Sequence, residues 1–515
     1  MAARGNKWWV LAVVNLPLFM ALLDRSLVVI AIPRIIEDLG GGLAEASWIV
    51  NGYILAFVVA LVIGGRMGDL WDRRRLFLAG VVAFTLSSLA CALAADLPML
   101  IGARVVQGLG GAVMLPQTLS LLTVAFPAGQ RGLSLGLWSS VSGLGTALGP
   151  ILGGLLVSFA SWRWVFLVNL PVAIAAVIGA LRVVPESRAE NVDRRLDWLG
   201  MAVLVVLTAS VTFAVIEGQG LGWGSPVIVG LFALSAGSAV LLFFVERGRS
   251  NALIPPYLFH DRAFTAASLD GFLSFFGFVG VTFLVPIFLQ GQAGRSALTA
   301  GVLLTPLPVA LMFASAASGR LIDFLGGRPL IFAGMAIAAA GIFMLGGLTP
   351  QVESVDLLAP LAIAGFGVGT ALAPTATVVM TSVDPTRFGN ASGILGTFRM
   401  FGAVLGVAVM SAVFENRFLA GLRVALEGAS IAPAEKQRLL EQVSEGAQQM
   451  VFAGHRGGSA EVTALVSREL MAALAAAFGV AAGLSLLGAL VALLIPARAG
   501  KQKSFREISR RRSRG

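Results

Sequence analysis

The sequence predicts an all-α membrane protein with fourteen spanning helices, arranged as two related six-helix halves with two further helices inserted between them. Of its 515 residues, 57% are hydrophobic and 12% are charged, whereas soluble proteins carry about 25% charged residues. Apolar runs long enough to cross a hydrocarbon core of about 30 Å recur along the whole chain. A segment of the first half also recurs in the second. Together these features exclude an ordinary soluble protein.

Fourteen apolar runs give the predicted spans. The first follows Arg4 and Lys7, contains Asp24 and lacks a small-residue cleavage site. It is therefore predicted to be a spanning helix and not a removed signal peptide. The 62 glycines suit helices that pack closely in lipid. The predicted spans are 8–33, 46–65, 76–95, 99–125, 132–158, 163–184, 198–217, 225–246, 264–290, 298–319, 329–348, 357–382, 388–415 and 468–496.

An internal repeat relates the two halves. The stretch that begins at Gly65 and contains Asp69 recurs at Gly319 with Asp323, at an offset of 254 residues. Parallel repeats about an axis normal to the membrane are typical of transporters built from two such halves. The repeat predicts an N-terminal half at 1–184, a linker with spans 7 and 8 at 185–250, a C-terminal half at 251–500 and a basic tail at 501–515.

The distribution of basic residues predicts the orientation. A formal net charge of +10 is by itself compatible with nucleic-acid binding. The arginines, however, cluster in loops on one side of the predicted spans, as cytoplasmic loops do. We therefore expect cytoplasmic termini, a multi-pass protein of a bacterial cytoplasmic (inner) membrane, and no nucleic-acid partner. The basic tail is expected either to contact anionic lipid headgroups or to act only as a topology anchor.

The largest segment outside the predicted spans, 416–467, lies on the outer side between spans 13 and 14. Pro433 opens a predicted helix whose apolar stripe includes Leu439, Leu440 and Val443. This extracellular segment is either a cover for the outer mouth of a pathway or a plain hairpin, and the plain hairpin is favoured.

The residues that an enzyme or an ATP-driven pump requires are scarce. Cys91, His260 and His455 supply neither a metal cluster nor a nucleophile–base pair. The sequence has no phosphate loop of the GxxxxGK[ST] type. We expect no enzymatic activity, no metal and no cofactor.

Five ionisable side chains lie well inside the predicted spans, where a charge is costly and usually functional. Burial favours the protonated form of a carboxyl group, and a nearby arginine favours the ionised form. A carboxyl group that alternates between such environments can load and release a proton, which makes the span 1 aspartate the leading coupling candidate. The alternative is a structural ion pair with the arginine of span 4 or span 13. The five residues are Asp24, Arg25, Arg104, Asp270 and Arg399.

A glycine-rich segment of span 5 is a candidate for conformational change. Its small residues recur at four-residue spacing around a proline, which predicts a smooth, bent helix face. The residues are Gly145, Gly149, Pro150, Gly153 and Gly154.

The segment that follows span 2 is a second conformational candidate. We expect Gly65 to form a tight turn in a loop and Asp69 to cap a helix or pair with an arginine such as Arg73. Such a contact would hold the cytoplasmic side closed in one state.

These segments resemble motifs of the fourteen-span drug:proton antiporter family of the major facilitator superfamily, to which the chain is similar along nearly its whole length. The span 5 segment matches the antiporter signature gxxxGPxxGG throughout. Arg104 and Gln107 belong to a stretch similar to the RxxqG motif of span 4. The surroundings of Asp24 resemble the span 1 motif, with Ser26 in place of threonine and an additional charge at Arg25.

The segment from Gly65 to Arg75 resembles the superfamily loop motif GxLaDrxGrk. Leu70 stands in place of the usual basic residue, and Asp72 in place of the second glycine.

The resemblance implies a major facilitator fold with Asp24 as the proton-coupling carboxylate, Arg104 as its modulator, and Gly149 with Pro150 as a pivot of alternating access. It implies multidrug efflux: export of lipophilic or drug-like compounds in exchange for protons, without a cofactor.

The open alternatives are export of an endogenous lipid or secondary metabolite, and an uncoupled facilitator. The expected partners are a small lipophilic substrate, protons and membrane lipids, and the chain is expected to act as a monomer. Arg25, Asp270, Arg399 and Gln107 are candidates for substrate contact or coupling.

Overall fold

The computed structural model describes residues 7–40, 42–187, 196–247, 249, 251–292, 295–348, 355–428 and 460–497. Within these ranges the chain forms helices joined by turns and short connections. The α-helices are α1 (Lys7–Leu39), α2 (Leu43–Leu70), α3 (Arg73–Ala92), α4 (Leu97–Ala125), α5 (Arg131–Phe159), α6 (Trp164–Leu167), α7 (Asn169–Val183), α8 (Trp198–Leu221), α9 (Pro226–Glu246), α10 (Arg262–Ile287), α11 (Ala297–Leu304), α12 (Pro306–Leu325), α13 (Gly327–Gly346), α14 (Leu358–Thr381), α15 (Phe388–Gly428) and α16 (Ala460–Ala492).

Fourteen helical segments of the described chain are long and apolar enough to cross a membrane. The short helices α6 and α7 together form one of them, Trp164–Val183, and α11 and α12 form another, Thr299–Leu325. Each of the other twelve segments is built on a single α-helix. The predicted all-α membrane fold with fourteen spans is confirmed.

Two predicted spans are interrupted. Span 6 breaks at Val168, between α6 and α7. Span 10 breaks at Thr305, directly before Pro306, because a proline lacks the backbone N–H that would continue the hydrogen-bond ladder.

Span 13 is longer than predicted. The helix α15 continues to Gly428, and α16 already begins at Ala460. Both flanks of the predicted outer segment 416–467 are therefore helical. The helix predicted to open at Pro433 lies outside the described residues.

The helix α2 also ends later than predicted. Gly65 and Asp69 lie in its last two turns and not in a loop, so Gly65 forms no tight turn. The apolar sequence simply continues the helix to Leu70. Asp72 then caps α3 by accepting a hydrogen bond from the Arg75 backbone N–H at 2.9 Å.

Pairs of glycines bring helices of the first and second halves together. The helix α2 packs against α15 and α5 packs against α12. A Cβ atom on Gly65 would lie 2.2 Å from the Gly389 carbonyl oxygen, and one on Gly132 would lie 2.6 Å from the Gly319 carbonyl oxygen. These approaches need a residue without a side chain. The two contacts correspond to each other under the internal repeat, while the domain bounds derived from that repeat stay predictions.

The inserted helices α8 and α9 form a peripheral pair. They pack on each other, and α8 also contacts α2 and α15. Large apolar side chains of α9 such as Val240 and Phe244 are exposed. Such a surface is what a helix facing lipid presents.

Candidate functional site

Buried polar residues of the first half meet around Asp24. Arg104 Nη1 donates a hydrogen bond to Asp24 Oδ2 at 2.6 Å. Gln107 Nε2 and Asn169 Nδ2 donate to Oδ1 at 3.1 Å and 2.8 Å. All four side chains are buried. Helices α4 and α7 thus supply three donors to a carboxylate that lies on α1.

Further contacts fix the arginine of this cluster. Arg104 Nε donates to the Ile49 carbonyl oxygen at 3.0 Å. The Tyr53 ring centroid lies 4.3 Å from the guanidinium carbon, a distance at which the ring attracts a cation. A buried ion pair is tolerated only when the remaining donors and acceptors also find partners. Of the two arginines predicted as possible partners of Asp24, the structure pairs it with Arg104 and not with Arg399.

Asn169 is a site residue that the sequence analysis missed. It begins α7 immediately after the break at Val168, and its Nδ2 also contacts Ser88 Oγ at 3.0 Å. The available signal was a lone amide side chain in an apolar run, two residues before Pro171. Because an amide carries no charge, the cost of burying a charge in a span does not single it out.

Arg25 follows Asp24 in the sequence but does not join its cluster. Its Nη1 donates towards Met400 Sδ in α15 at 3.9 Å, across the boundary between the halves. Arg399 lies on the same helix, and its guanidinium carbon is 6.0 Å from the ring centroid of Trp138 in α5. Both arginines therefore contact the opposite half.

Asp270 lies in the second half, two turns from the start of α10, and is fully buried. Thr375 Oγ1 donates to its Oδ2 at 2.7 Å. Its Oδ1 has no hydrogen-bond partner among the described residues. The structure thus separates the five intramembrane candidates into the Asp24–Arg104 pair, two arginines at the boundary between halves, and Asp270.

A row of glycines on α5 faces α1. A Cβ atom on Gly145 or on Gly153 would lie 3.0 Å from a side chain of α1. On Gly149 it would lie 2.1 Å from the Cβ atom of Ser26, two residues from Asp24. The glycine motif therefore lets α5 approach α1 beside the carboxylate. Its other two members lie in the same helix: Pro150 and Gly154.

Asp69 joins the two halves at the predicted cytoplasmic end. Its Oδ1 accepts hydrogen bonds from Arg73 Nη2 at 2.7 Å and from the Gly389 backbone N–H at 2.9 Å. Its Oδ2 accepts one from the Asn390 backbone N–H at 2.8 Å. Arg73 also donates to the Pro385 carbonyl oxygen at 2.7 Å. We call Asp69, Arg73 and the N-terminus of α15 the latch.

The latch carries both contacts that were predicted as alternatives for Asp69. Its carboxylate caps a helix N-terminus, where a negative charge is favoured, and it also pairs with Arg73. Both side chains are buried, with 0% and 2% of their surface exposed.

A bundle of fourteen apolar helices, whose halves meet at corresponding glycine contacts around buried charges, defines a membrane transporter and not an enzyme. The Major Facilitator Superfamily family model matches residues 16–407. The chain belongs to this superfamily.

Relatives and a solved structure agree with this assignment. The chain is 34% identical over 441 residues to the multidrug resistance protein Stp of Mycobacterium tuberculosis, covering 85% of this chain and 82% of that protein. It is 34% identical over 421 residues to the tetracenomycin C resistance and export protein of Streptomyces glaucescens, covering 80% and 77%. The human organic anion transporter MFSD10 has the same fold, with a TM-score of 0.64 at 14% identity, over 95% of this chain and 99% of that one.

Proposed function

We propose that the protein exports lipophilic or drug-like compounds by alternating access and exchanges them for protons. One observation carries the proposal. The fully buried carboxylate of Asp24 on α1 accepts a hydrogen bond from Arg104 of α4, and the residue that follows Asp24 on α1, Arg25, contacts the other half. Movement of α1 is then able to connect the protonation state of Asp24 with the arrangement of the two halves.

The hydrogen bonds around Asp24 suit a group that changes its charge. Three donors, one of them the guanidinium of Arg104, bond to the carboxylate in its present environment. Withdrawal of Arg104 or Asn169 would leave the carboxylate in an apolar interior, where the protonated form is favoured. A shift of α1 relative to α4 and α7 therefore changes proton affinity, which is the physical requirement for coupling.

The glycine face of α5 and the latch support the alternating-access part of the proposal. Close packing of Gly149 on Ser26 gives α1 a surface without protruding side chains along which it can move. The latch joins the halves at one end of the bundle through bonds that break as a unit when the halves separate there. Transport then consists of opening this end while the other end closes.

The printed names of two relatives, a multidrug resistance protein and an antibiotic resistance and export protein, support drug-like cargo for this chain. Export of an endogenous lipid or secondary metabolite on the same scaffold, and uncoupled facilitation, are the rival functions. We further propose that the protein acts as a monomer in a bacterial inner membrane with cytoplasmic termini, that it interacts with membrane lipids, and that the proton gradient is its energy source.

The first test compares the parent protein with Asp24→Asn in liposomes that have an acidic lumen and a clamped membrane potential. The dyes are ethidium, a lipophilic cation, and pyrenesulfonate, a lipophilic anion. We expect the parent protein to accumulate at least one dye only when the gradient is present. We expect Asp24→Asn to lower gradient-driven accumulation at least tenfold, because an amide cannot carry a proton.

Asp38→Asn is the matched control, because Asp38 is 47% exposed and pairs with Arg163 at the predicted outer end. It should transport like the parent protein. Equal dye movement by the parent and Asp24→Asn, with or without the gradient, would replace antiport by facilitation. If the parent moves neither dye, drug-like cargo is wrong and a lipid or metabolite takes its place.

A further inference from the structure

Two arginines at the boundary between the halves are not used by the proposed proton site. Arg25 extends from α1 towards α15, and Arg399 extends from α15 towards α5. Arg25 contacts Met400, the neighbour of Arg399 in the sequence. Opposite halves therefore each contribute one permanent cation to the same helix boundary.

The hydrogen bonds described for these guanidinium groups leave donors without strong acceptors. Arg25 meets a thioether sulfur at 3.9 Å, which is a weak acceptor. Arg399 donates to the Leu372 carbonyl oxygen at 3.1 Å. Its Nε has no partner within the described residues, although only 5% of the residue is exposed. An arginine does not lose its charge, so the buried guanidinium of Arg399 and the half-buried one of Arg25 both call for an acceptor.

The intramembrane carboxylates do not supply that acceptor. Both oxygens of Asp24 are bonded inside the first half. Asp270 lies within electrostatic range of Arg399, but in the described chain no hydrogen bond or ion pair connects the two side chains. Three arginines against two aspartates leave one positive charge in excess in this part of the bundle.

Aromatic rings border Arg399 on both sides of the boundary. The Trp138 ring of α5 lies 6.0 Å from its guanidinium carbon, and the Phe275 ring of α10 lies 5.6 Å from it. Aromatic rings of this kind stack on planar ligands as well as on guanidinium groups. The surroundings therefore combine unpaired cationic donors with apolar, flat surfaces.

We propose that Arg25 and Arg399 form an anion-binding pair in the transport pathway and that the cargo is a lipophilic aromatic acid. The acid group bonds to the free guanidinium donors, and its ring system packs beside Trp138 and Phe275. This inference specifies the cargo of the proposed exporter and rests on that proposal. Because the two arginines belong to opposite halves, the cargo contacts both halves and its binding responds to their relative movement.

The test measures binding without transport, so it is separate from the test of proton coupling. The full-length protein is placed in nanodiscs of zwitterionic lipid, and pyrenesulfonate is compared with pyrenemethylammonium, which has the same ring system and the opposite charge. We expect the sulfonate to bind at least tenfold more tightly than the ammonium compound, after subtraction of partition into empty nanodiscs. This comparison needs no variant.

Substitutions then locate the site. Arg25→Gln and Arg399→Gln should each weaken sulfonate binding about tenfold and leave ammonium binding unchanged or tighter. Arg399→Lys, which keeps the charge, should retain the preference for the sulfonate. Arg163→Gln at the predicted outer end is the control and should bind like the parent protein.

Three results would overturn this inference. They are equal affinity for the two pyrene compounds, unchanged sulfonate binding in both glutamine variants, and displacement of the sulfonate by phosphatidylglycerol added to the nanodisc, which would assign the arginines to a lipid headgroup. Gradient-driven export of ethidium together with any of these results would leave the proposed antiporter intact. Sulfonate binding at the two arginines without gradient-driven transport would support the anion-binding pair and contradict the proposed antiporter.

Discussion

The carboxylate of Asp24 is bonded to donors of two different kinds, and the difference matters. Gln107 and Asn169 are neutral and can remain beside a protonated carboxyl group, whereas Arg104 brings a charge that needs compensation. Removing one partner of a buried ion pair leaves the other charge without a counter-charge and destabilises the protein. Replacing both partners often changes the free energy of unfolding little. The pair is therefore a coupled unit whose members cannot be evaluated one at a time.

This coupling gives a stability prediction. Arg104→Gln should destabilise the protein by about 3 kcal/mol because Asp24 loses its buried counter-charge. The double variant Asp24→Asn/Arg104→Gln should recover most of that loss. Thermal unfolding in detergent, followed by fluorescence, measures both.

The exposed pair of Arg163 with Asp38 provides the control. Arg163→Gln should cost less than about 1 kcal/mol, since exposed ion pairs contribute little. If the double variant unfolds at the same temperature as Arg104→Gln alone, the two residues are not coupled and the interpretation of this cluster is wrong.

At the residue scale, the sequence predicted which side chains matter better than where they point. Charged residues within apolar runs are rare, so Asp24 and Arg104 were recognisable without a structure. The direction of Arg25 depends on the rotation of α1 about its axis, which packing against other helices decides. Asn169 begins α7 directly after the break in span 6, and Pro171 in the first turn of α7 accounts for that break because it has no backbone N–H. The approach of Asn169 to Asp24 depends on how α7 packs against α1, which the sequence does not show.

At the scale of helices, glycine rows determine which helices approach closely. On α5, Gly149 meets Ser26 of α1. On α15, a Cβ atom on Gly402 would lie 2.1 Å from the Phe272 carbonyl oxygen of α10. The first helix of each half therefore packs against a glycine-bearing helix of the same half, as the repeat predicts.

The α1–α5 contact is testable by adding one methyl group. Gly149→Ala should force α1 away from α5, cost about 1–3 kcal/mol through overpacking, and slow transport. Ser26→Gly in the same chain removes the atom that the new methyl group would meet and should restore both properties. The measurements are thermal unfolding and gradient-driven dye accumulation.

Gly237→Ala on α9 is the control, because no atom lies within 4 Å of the Cβ position there. It should behave like the parent protein. A Gly149→Ala protein with parental stability and transport would contradict the close contact, and failure of Ser26→Gly to rescue it would assign the effect to another neighbour.

The segments that form spanning helices were predictable from their apolar length alone. The residues at which those helices end were not. The lipid core requires about 20 apolar residues, but packing against a neighbouring helix can continue a helix beyond the membrane. In α15 the buried Phe418 and Leu422 belong to the same apolar cluster as Leu470 of α16, and Arg417 pairs with Glu469 at 3.7 Å. Packing between two helices thus extends a span that sequence patterning ended at 415.

At the scale of the whole molecule, the two copies of the repeated segment make unequal hydrogen bonds. In the first half Asp69 binds Arg73 and two backbone N–H groups across the boundary. Asp323 is its counterpart in the repeat, but no hydrogen bond to its side chain is found within the described ranges. The alignment of Gly65 with Gly319 predicted two related halves but not the glycine contacts between them. The inequality of the two aspartates has a cause in the sequence, because Gly327 occupies the position equivalent to Arg73 and has no side chain to donate a hydrogen bond.

The latch predicts a population shift. Asp69→Asn removes the charge that holds Arg73 and the N-terminus of α15, and hydrogen bonds to charged groups contribute about 1.5–3 kcal/mol each. We expect a new population in which the predicted cytoplasmic end is open. Spin labels at Arg75→Cys and Asp384→Cys, both exposed, in a Cys91→Ala background should report a longer distance by pulsed electron resonance.

Asp323→Asn is the matched control and should leave this distance distribution unchanged. A distribution that Asp69→Asn does not alter, or that both substitutions shift equally, would show that the latch does not hold this end together.

The length of α15 means that a small tilt about one of its ends displaces the other end by a large distance. The helix has 41 residues, so it is about 62 Å long at 1.5 Å per residue. One end is held by Asp69, Met400 about a third of the way along contacts Arg25, and the other end packs on α16. A tilt of about 10° that pivots at the latch would displace the far tip by about 11 Å, from the same helix length. A small rearrangement at one membrane face therefore becomes a large displacement at the other, so a label near Gly428 would report it with high sensitivity.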